Sequence, residues 1–450
     1  MEWSWDRIPA EYVVVNVRLC RQGALGRPGG FLHVRKGRVE ALGVGSPAPE
    51  GLPRLDAGGL VCAPGLVDLA VHFREPGYEE KESVASGSRA AAAGGFTSVV
   101  TMPDTDPAID NSGMVRYLLD RGREAGLCRI FPTGAVSPGR RGEAMTEFGD
   151  MVAAGAVGFT DDANPVANGN LLGNALKYAG RLGVPIITHP EDQTITGRGV
   201  MHGGYWATRL GLPGMPRAAE DAALFRDIEL ARAAKGHLHV GHVSTKGAVA
   251  IIRRAKGEGV RVTAAATPHH FSLDHARCRD YSPLFKTNPP LREADDLTAI
   301  AEGLADGTLD AIATDHAPHT ATEKEHQFDQ APFGVVGLET ALAAGITYLV
   351  KTGLLDLGQL VACLSERPAR ALNLPVGRLE EGGEADFVLI DPEREWVVSA
   401  GAFQSRSANS PFLGATLTGR VAATFLRGRL TWRAAPGGDG GARRPGAVLA

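Results

Sequence analysis

The chain has 450 residues, of which 44% are hydrophobic and 22% are charged, and its formal net charge is −4. These values are typical of a soluble globular protein with one large domain and a second, smaller one. The lack of a basic excess argues against a nucleic-acid or membrane-surface partner, and no apolar run reaches the ~18 residues of a membrane span.

The cysteines are scattered at irregular spacing without a CxxC pair: Cys20, Cys62, Cys128, Cys278 and Cys363. This pattern predicts reduced thiols rather than a disulfide framework. The N-terminus has acidic residues early and no long apolar run, so a signal peptide is not predicted. We therefore expect a cytoplasmic protein.

Residues 11–62 are predicted to form short strands separated by Gly and Pro clusters. From residue 65 to about residue 374 the pattern changes, because short apolar runs alternate with alanine-rich helical stretches. Alternation of this length predicts an α/β fold with a parallel sheet, and eight such units predict a (β/α)8 TIM-type barrel. The strand-like runs are residues 65–73, 96–103, 128–136, 156–162, 184–192, 237–244, 260–270 and 309–319.

Strand-like runs return after about residue 375, for example in ADFVLIDP and GATLTGRVAATF. We predict that these strands pair with the N-terminal strands in one small β domain. The predicted organisation is therefore a β domain built from residues 1–64 and 375–435 and a barrel built from residues 65–374. Residues 436–450 are rich in Gly, Pro and Arg and are predicted to be a disordered tail.

Histidine and carboxylate side chains recur at the C-terminal ends of the predicted barrel strands. In a barrel these ends meet on one face, where catalytic residues lie. His and Asp are common ligands of zinc and related ions, so the set predicts a metal site. The residues at these ends are His72, Arg74, Asp161, Asp162, His189, His242, His269, His270, Asp315, His316 and His319.

Other polar residues have plainer interpretations. Asp161 is predicted to support or cap rather than to bind metal, because Asp is favoured at helix N-termini. His237 and His239 precede His242 on the same strand and are predicted to be structural. His33, His202, His275 and His326 have no supporting sequence context and are expected at the surface.

Several motifs in the chain resemble those of class I dihydroorotase, a branch of the amidohydrolase superfamily. They are VHFREPG, GFTDDANPV, ITHPEDQ, GHVSTK, TNPPLR and ATDHAPH, in family order between about residues 56 and 392. The resemblance implies a metal-binding barrel with a small β-sandwich formed by both chain ends. It also implies reversible hydrolysis of dihydroorotate to N-carbamoyl-aspartate in pyrimidine biosynthesis.

Residue roles follow from the same resemblance, motif by motif. One or two zinc ions are implied, with ligands from His72, Asp162, His189, His242 and Asp315. Asp315 is also implied as the general acid and base of catalysis. Substrate contacts are implied for Arg74, Asp104, Asn288, His319, Phe333 and Gly334.

The chain departs from the family pattern at two positions of this site. Ala70 stands where the family has a metal-binding histidine, two residues before His72. Asp104 stands where the family has an asparagine that helps to hold the substrate carboxylate. We expect poorer occupancy of the metal position next to Ala70, and an Asp104 that repels an anionic substrate unless it is protonated or paired.

Three functions remain open from the sequence. The first is an active dihydroorotase with a small-molecule substrate, which the retention of Asp315, Arg74 and Asn288 favours. The second is a catalytically impaired dihydroorotase-like subunit that supports aspartate transcarbamoylase, which the two departures favour. The third is a related cyclic amidase such as a hydantoinase or allantoinase, which TNPPLR and ATDHAPH disfavour. A homo-oligomer is compatible with each of them.

Overall fold

The computed structural model describes residues 8–45 and 47–435, so the tail predicted at 436–450 lies outside the described residues. The N-terminal region is a group of short strands, as the sequence predicts. The strands are β1 (Glu11–Arg21), β2 (Ala24–Leu25), β3 (Gly30–Arg35), β4 (Arg38–Val44), β5 (Arg54–Asp56) and β6 (Val61–Pro64).

The central region alternates strands with helices. Its strands are β7 (Leu66–Val71), β8 (Phe96–Thr101), β9 (Arg129–Pro132), β10 (Ile186–Thr188), β11 (Met201–His202), β12 (Gly214–Met215), β13 (Leu238–Val240), β14 (Val262–Ala266) and β15 (Ala311–Ile312). Three strands follow in the C-terminal region: β16 (Phe387–Val397), β17 (Thr416–Leu426) and β18 (Arg429–Arg433).

Both chain ends contribute to one nine-stranded sheet. Its main strand order is β18-β17-β16-β6-β1-β3-β4, in which β6 and β16 pair antiparallel. The sheet buries a separate apolar cluster, in which the rings of Phe387 and Phe425 stack with centroids 4.2 Å apart. The strand β6 of this sheet ends two residues before β7 begins, so the sheet connects directly to the central region.

Parallel pairings link the central strands in a continuous series. β7, β8 and β9 pair in order, as do β10, β13, β14 and β15. Phe159 joins the two groups by pairing with Gly134 on one side and Ile186 on the other. His316, just after β15, pairs back with Val71 of β7. The series therefore returns to the strand from which it starts.

The segment 156–162, expected as a full strand, pairs only through Phe159. Backbone bonds from Thr160 N to Gly134 O and from Ile187 N to Phe159 O hold it in place. The chain leaves the extended pairing at Asp161, whose carboxylate accepts hydrogen bonds from the backbone and side chain of Ser137. This side-chain bond replaces continued pairing with the neighbouring strands.

Helices follow most of the central strands, and no helix among the described residues is both long and apolar enough to cross a membrane. The helices are α1 (Val84–Ala93), α2 (Ser112–Ala125), α3 (Phe148–Ala154), α4 (Gly169–Leu182), α5 (Gln193–Thr196), α6 (Tyr205–Leu210), α7 (Arg217–Ala234), α8 (Lys246–Gly257), α9 (Pro268–Ser272), α10 (Ala294–Asp306), α11 (Ala321–Lys324), α12 (Ala341–Gly345), α13 (Leu357–Leu364) and α14 (Glu366–Ala371).

Candidate metal centre and substrate site

The C-terminal ends of the central strands bring the five sequence-predicted metal ligands together. His72 follows β7, His189 follows β10, His242 comes shortly after β13, and Asp315 comes shortly after β15. Asp162 follows the short pairing segment at Phe159. The side chains of these five residues are buried and form two overlapping groups whose candidate ligand atoms lie within 4.8 Å of one another.

The first group is Asp162, His189 and His242. His189 Nδ1 lies 3.0 Å from His242 Nε2 and 3.4 Å from Asp162 Oδ1. The far nitrogen of the same ring, Nε2, lies 3.2 Å from Glu191 Oε2. Two imidazoles and a carboxylate are a frequent protein ligand set for a catalytic zinc ion.

The second group is His72, Asp162 and Asp315, and it shares Asp162 with the first. His72 Nε2 lies 3.1 Å from Asp315 Oδ1 and 3.6 Å from Asp162 Oδ2. A carboxylate that reaches both groups with different oxygens has the geometry of a ligand that bridges two cations. This group offers only one imidazole.

The charges of this site shift the pKa values of its members in opposite directions. Burial lowers the pKa of His72, but the negative charge of Asp104 and contacts with Asp104 and Asp315 outweigh it and raise the pKa to about 10. Burial raises the pKa of Asp315, but His242 and His72 outweigh it and hold the pKa of this carboxyl well below its usual range. The site therefore favours an ionised Asp315.

The residues fit a divalent cation on chemical grounds. Asp162 Oδ1 is buried and has no hydrogen-bond partner, which is costly for an oxygen of a carboxylate unless a cation or a water molecule satisfies it. Imidazole nitrogens and carboxylate oxygens surround the same space. Zinc and several other divalent ions accept this mixture of donors.

Ala70 lies in β7 with its side chain inside the protein. The residue is 3% exposed and belongs to an apolar cluster that includes Val100 and Met102. Its backbone N–H donates to Asp68 Oδ1 at 3.2 Å. The methyl group is therefore part of the packed interior and supplies no ligand atom.

Arg74, Asp104 and His319 lie together beside the second group. Arg74 Nη1 donates a hydrogen bond to Asp104 Oδ2 at 2.6 Å, and Arg74 Nη2 lies 3.4 Å from His319 Nε2. Asp104 Oδ2 also lies 2.8 Å from His72 Nδ1. Burial raises the pKa of Asp104, but the charges of His72 and Arg74 lower it well below its usual range. Asp104 is thus an ionised, paired carboxylate.

The other sequence-predicted substrate residues lie around this group. Asn288 Nδ2 donates to Glu191 Oε2 at 2.8 Å, which connects Asn288 to the His189 side of the site. His319 Nε2 donates to the backbone oxygen of Phe333 at 2.8 Å. Gly334 has a φ of 115°, and a Cβ added there would lie 2.7 Å from the Cβ of Ala317, so this turn requires glycine.

Comparisons with known proteins give the family of the chain. A family model described as dihydro-orotase-like matches residues 59–248. The dihydroorotase of Pelobacter propionicus is 49% identical over 402 residues, which cover 89% of this chain and 95% of that protein. The dihydroorotase of Syntrophotalea carbinolica is 50% identical over 380 residues, which cover 84% of this chain and 89% of that protein. The chain belongs to the dihydroorotase family.

Solved structures extend the comparison to the fold. The L-hydantoinase (dihydropyrimidinase) of Arthrobacter aurescens has a TM-score of 0.83 at 27% identity, with 94% of this chain and 96% of that chain covered. The dihydropyrimidinase of Brevibacillus agri has a TM-score of 0.81 at 22% identity, with 93% of this chain and 94% of that chain covered. At this identity the similarity concerns only the fold. This member of the dihydroorotase family therefore shares its fold with proteins named hydantoinase and dihydropyrimidinase.

Sequence reasoning missed two residues that support the dihydroorotase-family site. Glu191 contacts both His189 and Asn288, and the acidic residue two positions after the histidine in ITHPED is a signal that could have found it. Asn409 accepts a hydrogen bond from the backbone N–H of His319 at 3.1 Å and donates to the backbone oxygen of Gly334 at 3.2 Å. No sequence motif marks Asn409.

The expectation that His33, His202 and His275 lie at the surface is wrong, because all three are buried. His202 and His275 form a cluster of possible ligand atoms with Glu293. Arg292 donates to His202 Nδ1 at 3.2 Å, so in the neutral ring Nε2 carries the proton and has no lone pair for a cation. Arg217 Nη2 donates a hydrogen bond to Glu293 Oε2 at 2.6 Å. This cluster is therefore structural.

Proposed function

We propose that this chain is a class I dihydroorotase that catalyses the reversible hydrolysis of (S)-dihydroorotate to N-carbamoyl-L-aspartate in pyrimidine biosynthesis. The proposal rests on three imidazoles and two carboxylates gathered beside Arg74 in a chain of the dihydroorotase family. The ligand types fit one or two zinc ions, held by His72, Asp162, His189, His242 and Asp315.

Hydrolysis of a cyclic amide needs a nucleophile at neutral pH and a proton for the leaving nitrogen. A divalent ion held by the two groups would supply the first and polarise the substrate carbonyl. Asp315 is the general base and acid: its ionised carboxylate takes the proton of the attacking water and returns it to the ring nitrogen as the carbon–nitrogen bond breaks. Its 3.1 Å contact with His72 keeps the carboxylate in the metal site.

The substrate carboxylate binds on the Arg74 side of the site in this proposal. Arg74 Nη1 is engaged by Asp104, whereas Nη2 has only a 3.4 Å contact with His319, so a substrate carboxylate that reached Nη2 would gain a charge-assisted hydrogen bond. Asn288 contacts the opposite, Glu191 side and is assigned to the substrate ring. Phe333 and Gly334 lie in the loop whose backbone accepts a hydrogen bond from His319, and we assign them to substrate contact on the same side.

The architecture of the proposal follows the same family. We assign the series of parallel pairings in residues 65–374 to a (β/α)8 barrel. The described residues of the ranges 1–64 and 375–435 are assigned to a β-sandwich, and the protein to the cytoplasm. A homo-oligomer or a complex with aspartate transcarbamoylase is compatible with this assignment.

Turnover of dihydroorotate by the purified, zinc-loaded protein tests the proposal. N-carbamoyl-aspartate is expected to form, and Asp315→Asn is expected to lower kcat by about 10²- to 10⁴-fold, the usual contribution of a general acid or base. Hydantoin and dihydrouracil, which lack the carboxylate, are expected to be poor substrates because they cannot form a charge-assisted hydrogen bond with Arg74 Nη2. No rate above buffer with zinc-loaded protein would refute the proposal.

The two departures from the family pattern, Ala70 and Asp104, favour a second candidate function. Asp104 holds part of Arg74, and Ala70 supplies no ligand, so a catalytically impaired subunit that supports aspartate transcarbamoylase would show the same geometry. It predicts no turnover, together with co-purification and lower transcarbamoylase activity when the chain is deleted. Turnover of dihydroorotate excludes it.

A further inference from the structure

Asp104 lies between the metal site and the substrate site. It follows β8, and the backbone bond from Met102 N to Val71 O at 3.0 Å aligns the end of β8 with the end of β7, which carries His72. His72 Nδ1 and Arg74 Nη1 both approach the same oxygen, Asp104 Oδ2, at 2.8 and 2.6 Å. His72 is buried and the other two side chains are largely buried, with exposures of 6 to 11%. One carboxylate oxygen thus serves both sites.

The imidazole of His72 presents a different nitrogen to each of these sites. Nε2 faces Asp315 Oδ1 at 3.1 Å and Asp162 Oδ2 at 3.6 Å. Nδ1 faces the other way and lies 2.8 Å from Asp104 Oδ2, an ion-pair contact rather than a hydrogen bond of standard geometry, and no atom of residues 8–45 and 47–435 accepts a hydrogen bond from Nδ1. A divalent ion bound at Nε2 would take the lone pair of that nitrogen, which leaves the single remaining ring proton on Nδ1, towards Asp104.

His189, in the first ligand group, also has one ring nitrogen towards the metal site and the other towards a carboxylate. His189 directs Nδ1 towards His242 and Asp162, and its Nε2 lies 3.2 Å from Glu191 Oε2. A carboxylate at the outer nitrogen of a metal-binding histidine fixes the tautomer and the ring orientation and makes the ring a stronger ligand. His72 and His189 thus each have a carboxylate at the nitrogen that faces away from Asp162, which is Asp104 for His72 and Glu191 for His189.

We propose that Asp104 is a positioning residue that holds His72 towards the metal and partly offsets the imidazole absent at Ala70, an inference that rests on the proposed metal-dependent function. The same oxygen engages Arg74, so a substrate carboxylate competes with Asp104 for the guanidinium. Asp104 therefore strengthens metal binding at His72 and weakens substrate binding at Arg74. An asparagine at this position would reverse both effects.

Zinc affinity measured without turnover tests the first effect. The protein is dialysed against graded concentrations of a chelator, and the retained zinc is measured by elemental analysis. Asp104→Ala is expected to weaken the more labile zinc position by about 10- to 100-fold, the usual effect of losing such an outer carboxylate. Asp104→Asn keeps one acceptor oxygen and is expected to fall between. Asp106→Asn, which removes an exposed carboxylate two residues along the same loop, is the matched control.

The Michaelis constant tests the second effect. At saturating zinc, Asp104→Asn is expected to lower KM for dihydroorotate because Arg74 Nη1 becomes available to the substrate carboxylate. A residue that only supports the fold would not improve substrate binding while weakening metal binding. Zinc affinity that is equal in Asp104→Ala, Asp106→Asn and the unchanged protein would overturn the proposal, as would a KM that rises in Asp104→Asn.

The compensation itself is tested by adding the absent imidazole. Ala70→His is expected to raise zinc occupancy and to reduce the loss of affinity caused by Asp104→Ala, because His72 is then no longer the only imidazole of its group. Circular dichroism establishes that each variant folds. An equal loss in both backgrounds would refute compensation, and if Ala70→His does not fold, the comparison with Asp106→Asn still decides the role of Asp104.

The outcomes separate this inference from the proposed function. A protein whose zinc affinity depends on Asp104 but that hydrolyses no dihydroorotate refutes the proposed function and retains the role of Asp104. A protein that hydrolyses dihydroorotate but whose zinc affinity is independent of Asp104 supports the proposed function and refutes the role of Asp104.

Discussion

Asp161 and Asp162 are adjacent acids with different surroundings. Asp161 accepts hydrogen bonds from Ser137, whereas Asp162 Oδ1 is buried without a hydrogen-bond partner and faces His189. The resemblance at FTDD predicts the same difference, with a supporting Asp161 and a metal-binding Asp162. The positions of the predicted strand ends were enough to select the other four candidate ligands. The pairing of Asp104 with Arg74 could not be predicted in this way, because it depends on how two strand ends 30 residues apart align.

Asp68 offers a prediction about pH at the scale of one residue. It is fully buried at the base of the site, where it accepts hydrogen bonds from Thr314 and from Ala70 N. Burial outweighs these bonds and raises the pKa of Asp68 to about 7, against about 3.9 in an unfolded chain. The native state therefore binds this proton more tightly, and its stabilising effect is complete below pH ~4 and lost as the pH rises through ~7.

Asp68→Asn removes this titration but keeps an acceptor for Thr314 N and Ala70 N. Between pH 5 and pH 8.5, the unchanged protein is expected to lose about 3 kcal/mol of unfolding free energy relative to the variant. Denaturant unfolding at a series of pH values measures the difference. Parallel pH dependence in the two proteins would show that Asp68 does not titrate in this range.

At the scale of elements, α1 packs against the segment that follows β7. Its N-terminus has a capping box between Ser83 and Ser86, and its buried alanines pack inward, as the alanine-rich sequence predicts. Gly87 of α1 lies against the ring of Phe73, which separates His72 from Arg74 in the chain. The sequence predicts this helix from composition, but the close contact appears only when helix and loop are packed together.

Gly87→Ala tests this contact. A Cβ at residue 87 would lie 2.5 Å from two ring carbons of Phe73, so the gain of about 1 kcal/mol in helix propensity is outweighed by an overpacking cost of about 1–3 kcal/mol. We expect a lower melting temperature and weaker zinc binding, because Phe73 follows His72 directly in the chain and a shift of its ring disturbs the backbone that carries His72.

The matched control for Gly87→Ala is the same substitution in α4. A Cβ at Gly173 would meet its nearest neighbour, Leu230, at 3.8 Å, which is ordinary contact. Gly173→Ala is therefore expected to stabilise the protein by about 0.5–1 kcal/mol without changing zinc content. If both variants gained stability, Phe73 would have room to move and α1 would not fix the loop.

At the scale of the whole molecule, the C-terminal part of the chain returns to the site. The segment between β16 and β17 brings Arg406 N within 3.2 Å of Glu82 Oε1 and Ser407 Oγ within 2.7 Å of the backbone oxygen of Lys81. Asn409 then reaches the loops that carry His319 and Gly334. Alternation of strands and helices predicts the central strands from local sequence, but it carries no information about contacts between residues so far apart in the chain.

Asn409→Ala tests whether this segment shapes the substrate side of the site. The variant leaves His319 N, Ala317 O and Gly334 O without their side-chain partner, at a cost of about 1–3 kcal/mol for each buried group left unsatisfied. Because Asn409 contacts the substrate loops and not the metal group, we expect a higher KM for dihydroorotate with unchanged zinc content. Asn174→Ala, at an exposed position of α4, is the control. Loss of zinc without a change in KM would contradict this prediction and would show that the segment supports the metal site rather than the substrate site.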